Sequence, residues 1–392
     1  MLACEEFPHK RTSENIAEWL EKIMEQFQCS IKVTCIVTDN APNMKKAVSL
    51  LGIENIPCFA HSLNLIVQHA INNSIQSTVA TVKKIVKYFK KVPKLPQSFE
   101  NFKLILDVAT RWNSTYYMLE RFHTNKDPII SSLALLNFEN TLNEHDWVIM
   151  HEASIVLNFF DLVTKEISAE KTVTLSKVKV ITSSMIKKLQ VHLQNSSYSE
   201  QTKTLITLLL EGIQQKFNYM DSEVVQLATI LDPRFKQRGF NSDRQFNQCC
   251  AHLLQKIKSI NSIDQRDSIQ QPQDKTDFSN DDKNTIWEDF DMEQGSSQVV
   301  LNTRSEAQKE IDNYLAEPLT HRNDDPLDWW KLYKNKYPLL HSVMLETLCI
   351  PASYVPCERV FSKAGDVETS KRNRLKPNKL NKILFVKQNK VT

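Results

Sequence analysis

Apolar residues recur at spacings of three and four through Ile16, Trp19, Leu20, Ile23, Met24 and Phe27, one face of an amphipathic helix that Thr12 or Ser13 can cap. Residues Ile31–Thr38 are rich in Val, Ile and Thr and predict a strand. A second helix carries Met44, Ala47, Val48 and Leu51 on one face and stops at Gly52. The short apolar piece Ile56–Phe59 leads into a third helix with the stripe Leu63, Ile66, Val67, Ala70 and Ile71. Strand, helix, short strand, helix is an α/β order.

From about residue 77 to 255 the periodicity is helical and no segment reads as a strand. A helix over 78–92 has Val79, Val82, Val86 and Phe89 on one stripe and Lys83, Lys87, Lys90 and Lys94 on a second. Later stripes are Val156, Leu157, Phe160 and Val163, then Ile181, Met185 and Leu189, then Leu205, Ile206, Leu209, Leu210, Ile213 and Phe217. Residues 257–304 are polar, acidic and aperiodic, and predict a disordered linker. Order returns near Ser305. Asp328 is positioned to cap a helix bearing Trp329, Trp330 and Tyr333, and Pro338 suits the first turn of the next. A last helix is expected from Val355 to Ala364 with Gly365 as its stop, and a short strand or helix over Ile383–Val386. The segments expected are 1–75, an α/β piece; 76–256, a helical block; 257–304, the linker; and 305–392.

Five glycines in 392 residues leave few left-handed turns and favour long helices over meanders. The net charge of +3 names no partner, but its distribution is uneven. Residues 83–103 hold seven lysines and one acid, and residues 261–300 hold ten acids and three bases. Basic runs are compatible with nucleic acid and equally with a solvated face. The eight cysteines lack the spacing of a disulfide scaffold, and with no C-x-x-C pair no zinc finger is encoded in this chain. The first residues lack the apolar core of a signal peptide, and no stretch approaches a membrane span, so a soluble intracellular protein is expected.

Five constellations can carry chemistry. Asp39-Asn40 ends the first predicted strand, where a carboxylate can hold a hard cation, or simply cap the next helix. Cys58-x-x-His61 offers half of a zinc site, or a buried thiol and a helix-entrance histidine. Arg111 and Trp112 together can hold a phosphate and stack on an extruded base, or be a solvated arginine beside a core indole. Glu358 falls in the first turn of a helix, where negative charge is favoured regardless of function. The basic helix face and the tail Lys371, Arg372, Arg374, Lys376, Lys379 and Lys382 can track a phosphate backbone.

In order, VTDNAPNM (37–44), CFAHSLNLIV (58–67), DVATRWNSTYYMLERF (107–122), ATILDPRFK (228–236), DPLDWWKLYKNKYPLL (325–340) and VPCERVFSKAG (355–365) resemble the hAT superfamily of transposases, in particular the branch with BED-zinc-finger proteins. Each motif is weak alone; six in order over nearly the whole chain are specific. The resemblance implies an α/β fold in which a partial ribonuclease-H-like core is interrupted by a large all-α insertion, predominantly helical overall. In that family an Asp, Asp, Glu triad holds two divalent metals for phosphoryl transfer. Asp39 matches its second acid and Glu358 its third, so Mg2+ is implied only if the chain is catalytic. Cys58, His61, Arg111 and Trp112 match positions that line the site and steady the transposon end. Residues 306–388 resemble the carboxyl-terminal dimerisation segment, with Trp329, Trp330 and Leu340 as core or interface anchors.

Two departures bear on function. The family's first Asp and first two strands precede what this chain contains, and Met1–Cys4 resembles the end of the third strand. Cys357 also stands where a serine is usual. Three readings follow. One is a nuclear, transposase-derived protein that forms homodimers or higher homo-oligomers, binds DNA, has no membrane association and lacks transposase activity in this form. The second is an active Mg2+-dependent transposase whose missing strands are encoded upstream. The third is an inert product of a decayed element.

Overall fold

The computed structural model describes residues 7–92, 104–108, 110–136, 138, 142–268, 306–367 and 377–389. It is predominantly helical, with one small parallel sheet among the described residues. Packing forms two compact units: residues 1–174, 181–220 and 352–392, and residues 175–180 and 221–351. These units cut across the four segments expected from composition, because the helices after residue 76 pack on the α/β piece rather than on one another alone.

In the first unit, α1 (Ser13–Gln26) is capped by Thr12, whose hydroxyl accepts the Asn15 N–H. The strand is shorter than its sequence suggests: Ser30–Lys32 is a 3-10 turn and β1 spans only Cys35–Thr38. The partner explains the difference. β2 (Glu54–Pro57) offers four residues, paired parallel from Cys35↔Glu54 to Thr38↔Pro57, and Ile31 is left 97% exposed. Between them α2 (Pro42–Leu50) begins on a proline, and Gly52 follows it at φ +67, the left-handed conformation glycine tolerates. Ile16, Ala17 and Ala47 form a small core under this piece.

α3 (Phe59–Ser74) buries Leu63, Ile66, Val67, Ala70 and Ile71, the four larger side chains contributing roughly 1.5–3 kcal/mol each relative to exposure. It packs on α9 (Glu200–Lys216), where Gly212 lets the two backbones approach and Phe59 stacks on Phe217 at 4.3 Å. The lysine-bearing helix α4 spans Gln76–Phe89, ending before the sequence pattern does. α5 (Trp112–Thr124) and α6 (Lys126–Leu135) precede α7 (Glu144–Ile167), which Asn143 and Asp146 close with reciprocal capping bonds. At 24 residues, α7 is long and apolar enough to cross a membrane, contrary to the sequence reading. It is nevertheless a core helix, burying Val156, Leu157, Phe160 and Val163 and two acids, Glu152 and Asp161, which are bonded within the protein. α8 (Lys177–Leu193) follows.

In the second unit α10 (Glu223–Ile230) and α11 (Asp243–Ser268) pack together. α11 continues through residues 257–268, so helix replaces the first part of the expected linker; its remainder lies outside the described residues. α12 (residues 306–316), α13 (Pro326–Tyr333) and α14 (Pro338–Leu348) complete the unit. Asp325, not Asp328, caps α13, because Pro326 occupies the first helical position and places Asp325 ahead of it. Pro338 opens α14 as expected.

The chain re-enters the first unit at Ala352. α15 (Val355–Val367) runs through Gly365 rather than stopping there, and α16 (Pro377–Asn389) makes residues 383–386 helical. Val360 and Leu384 are buried where this pair packs. The predicted third strand at Met1–Cys4 and the tail bases Lys371, Arg372, Arg374 and Lys376 lie outside the described residues.

Candidate functional site

The first unit gathers four of the nominated residues through a relay of backbone bonds. At the end of β1, the buried Thr38 hydroxyl donates to Asn55 Oδ1 (2.8 Å) and accepts the Asn40 N–H (3.2 Å). Asn40 adopts φ +67, a left-handed step that an Asn side chain tolerates. It turns the chain so that Asp39 Oδ1 accepts the Ala41 N–H (3.0 Å) ahead of α2. The Thr38 carbonyl accepts the Cys58 N–H (2.8 Å), and the next amide, Phe59, donates to the Ala352 carbonyl (2.9 Å). Ala352 is fixed in turn by Thr174 Oγ1 (2.9 Å). Two residues on, the Tyr354 carbonyl accepts the Cys357 and Glu358 N–H groups (2.8 and 3.2 Å) and opens α15.

These bonds bring the strand end carrying Asp39, the entrance of α3 and the start of α15 to one place. Cys58 is fully buried, and its sulfur accepts the His61 N–H (3.5 Å) as the cap of α3. Burial pushes its thiol above the usual range, which suits a packing role rather than a nucleophile or metal ligand. His61 is half-buried, with Nδ1 3.4 Å from the Tyr354 hydroxyl. Glu358, in the first turn of α15, is exposed. Burial raises the Tyr354 pKa well above the ordinary tyrosine value, and the negative charges of Glu358 and Asp39 raise it further. Asp39 and Glu358, separated by most of the sequence, therefore act on one side chain.

Tyr354 was not singled out from the sequence. It stands four residues before Glu358, the spacing that aligns side chains on one helical face, and that was the available signal. Two buried atoms nearby lack hydrogen-bond partners: Asn40 Oδ1, beside Asp39, and the Tyr219 hydroxyl, close enough to Cys58 to feel its charge.

The donor set does not fit a two-metal centre. Among the described residues no three His, Cys, Asp or Glu side chains converge closely enough to share an ion. One Asp39 oxygen accepts the Ala41 N–H, which leaves the carboxylate further lone pairs, but two acids with no third beside them among the described residues fall short of the ligand set of a two-metal clamp.

The Arg111-Trp112 pair separates. Asn64 of α3 pins the start of α5, accepting the Trp112 N–H (3.0 Å) and donating to the Thr110 carbonyl (3.2 Å). Trp112 is 2% exposed and lies edge-on to Phe160, so its ring faces the core and presents no surface for stacking on a base. Arg111 remains exposed. On α4, Lys83 is half-buried and ion-paired with Asp107 (2.8 Å), whereas Lys87 and Lys90 are exposed.

In the second unit the LDPRFK segment is a structural hub. The Ile230 and Leu231 carbonyls, at the end of α10, accept the Tyr314 hydroxyl (3.0 Å) and Trp330 Nε1 (2.9 Å). Asp232 forms a buried two-point pair with Arg234 (2.6 and 2.8 Å) and accepts Ser176 Oγ (2.6 Å). Lys236 Nζ donates to the Tyr314 and Glu317 carbonyls at the end of α12 (2.6 and 2.7 Å). Trp330 and Leu340 are fully buried core residues; Trp329 is half-buried and stacks on Tyr333 at 4.2 Å.

Two family models match the chain: the ZBED1 RNase-like helical domain over residues 56–155, and the hAT family C-terminal dimerisation region over residues 310–390. Cys58, His61, Lys83, Lys87, Lys90, Arg111 and Trp112 fall in the first range, and Trp329, Trp330, Leu340 and Glu358 in the second; Asp39 is in neither. The human zinc finger BED domain-containing protein 4 is 24% identical over 92% of this chain and 31% of its own length. The human zinc finger BED domain-containing protein 6 is 23% identical over 90% of this chain and 40% of its own length. A putative AC transposase of Zea mays is 23% identical over 93% of this chain and 49% of its own length. The chain thus spans about a third to a half of the relatives it matches. The matches and the relatives agree: residues 310–390 are similar to the hAT family C-terminal dimerisation region and residues 56–155 to the ZBED1 RNase-like helical domain, and the chain is similar to BED zinc-finger proteins and an AC transposase over most of its length.

Proposed function

We propose that this protein acts in the nucleus as a dimer that binds DNA through the first unit and does not cut it. The match to the dimerisation region over residues 310–390 carries the reading of self-association. DNA binding rests on Lys87, Lys90 and Arg111, exposed cations on neighbouring helices of the first unit. Lys83 adds little direct phosphate contact, because Asp107 already neutralises it. His61 is partly accessible, whereas Cys58 and Trp112 are buried and can contribute only as support. The reading without strand cleavage is supported by the lack of a third acid beside Asp39 and Glu358 among the described residues. A magnesium requirement belongs only to the catalytic alternative, which needs an acid beyond Asp39 and Glu358.

Sedimentation velocity tests association: a dimer is expected at micromolar concentration, and a monomer throughout that range would overturn the reading. Fluorescence anisotropy with duplex DNA across a salt series tests the surface. Each phosphate neutralised contributes about 0.9 to the slope of log affinity against log salt. Lys87→Ala with Lys90→Ala should lower that slope by about 2, while Lys83→Ala should leave it nearly unchanged. An unchanged slope in the Lys87, Lys90 double variant would place DNA elsewhere.

A further inference from the structure

Arg111 stands just ahead of its helix rather than on it, in a turn whose backbone is held by side chains from two helices. We infer that Asn64 is a positioning residue for DNA: it fixes the turn that carries Arg111, so that this arginine meets a phosphate from a set place. The inference rests on the DNA-binding reading above and deepens it.

Arg111 has extended backbone (φ -132, ψ 111), so no helical ladder satisfies the polar groups that precede α5. Asn64, on α3, accepts the Trp112 N–H (3.0 Å) and donates to the Thr110 carbonyl (3.2 Å). One amide side chain therefore brackets Arg111 on both sides. Ser114, on α5, donates to the Arg111 carbonyl (2.6 Å) and accepts the Val108 N–H (2.7 Å). The Arg111 N–H closes the turn on the Val108 carbonyl (3.0 Å). Both supports are rooted in the core: Leu63 is buried next to Asn64 in sequence, and Trp112 is buried next to Arg111.

The Arg111 side chain is exposed, and its guanidinium makes no ion pair or hydrogen bond among the described residues. A planar fork that matches phosphate geometry thus sits free on a backbone that is already ordered. Binding then costs less ordering than it would from a loose turn. Lys87 and Lys90, at the end of α4, supply charge through compact ammonium groups on flexible stems. Phosphate contacts from a fixed point set where a protein sits on a duplex. Asn64 has no contact with DNA in this arrangement and acts only through Arg111.

The test is a double-mutant cycle on the full chain, with a fluorescent duplex of random sequence read by anisotropy below the melting temperature of every variant. Arg111→Ala should lower the salt slope by about 0.9. Asn64→Ala should weaken binding about fivefold in the wild-type background and leave it unchanged in the Arg111→Ala background, because the residue it positions is gone. The same loss in both backgrounds marks a merely structural role and would overturn the inference. So would no loss in either background, or an Arg111→Ala protein with the wild-type slope. Should Asn64→Ala fail to fold, Ser114→Ala runs the same cycle, with the same expected and overturning results. A slope that falls in the Lys87, Lys90 double variant while the cycle is additive removes this inference alone. A wild-type chain that binds no duplex removes it together with the DNA-binding reading.

Discussion

At Lys236 a turn with φ +43 carries an amine into a site only 2% exposed, over the Tyr314 and Trp329 rings and against two carbonyls. Burial lowers its pKa to about 8, outweighing the opposing pull of Glu317. A neutral amine keeps two N–H donors, enough for both carbonyls. Between pH 8 and the ordinary lysine value of 10.5 the unfolded chain binds a proton that the folded chain has released. Stability contributed by this residue therefore rises with pH through that window, by at most about 1.4 kcal/mol per unit. In urea unfolding, the stability difference between wild type and Lys236→Met should widen in favour of wild type from pH 8 to 10. A flat or narrowing difference would remove the buried amine from the account. Residue identity was legible in the sequence where residue environment was not. Asp39, Cys58, His61 and Glu358 stood out as chemistry-bearing types, and the Thr38–Cys58 and Phe59–Ala352 backbone bonds join the segments that carry them. Trp112 also stood out, but whether an indole lies inside or outside depends on Phe160, far along the chain. Tyr354 gained its meaning only from the Phe59–Ala352 bond, which no local pattern encodes.

Among the elements, the long helices were the most legible, because a stripe such as Leu63, Ile66, Val67, Ala70 and Ile71 repeats over several turns and all five residues are buried. The first strand was misjudged in length, since pairing ends where β2 ends. Helix contacts add a demand that periodicity does not reveal. A Cβ on Gly212 of α9 would lie 2.7 Å from Ile66 Cγ2 and 3.2 Å from its Cγ1. Ile66 is 2% exposed, and a β-branched residue in a helix has essentially one χ1 rotamer, so it cannot swing aside. Gly212→Ala gains about 1 kcal/mol of helix propensity but costs about 1–3 kcal/mol of overpacking. The net expectation is a loss, measured as a lower urea midpoint at unchanged slope. Adding Ile66→Ala, which removes both Cγ atoms that crowd the new methyl, should make the glycine substitution less harmful than in the wild-type background. A stabilised Gly212→Ala protein would mean that α3 and α9 are not in close contact.

For the molecule as a whole, the question is which surface a second copy covers. Deleting residues 306–392 cannot answer it, because Tyr314, Trp330 and Leu340 are core residues and their loss reads out as unfolding. Surface substitutions can. Within the matched dimerisation region, the first unit exposes Phe361 (62%) and Phe385 (45%) next to the buried Val360 and Leu384, on the paired helices α15 and α16. The second unit exposes Leu332 and Leu345. Aromatic anchors carry a disproportionate share of binding energy at interfaces and leucines a smaller one, so the phenylalanine face is the expected contact. Phe361→Glu with Phe385→Glu should weaken the dimer about 100-fold, or about 3 kcal/mol, while Leu332→Glu with Leu345→Glu should have a much smaller effect. The same two helices also expose the cations Arg359, Lys379, Lys382 and Lys387. A symmetric contact brings like charges from two copies toward each other, and added salt screens that repulsion. Dimer affinity should therefore rise with salt over the range in which DNA affinity falls, a pair of opposite slopes readable by sedimentation and anisotropy on one preparation. A dimer that weakens with salt, or one that the leucine pair disrupts and the phenylalanine pair does not, would move the interface off α15 and α16.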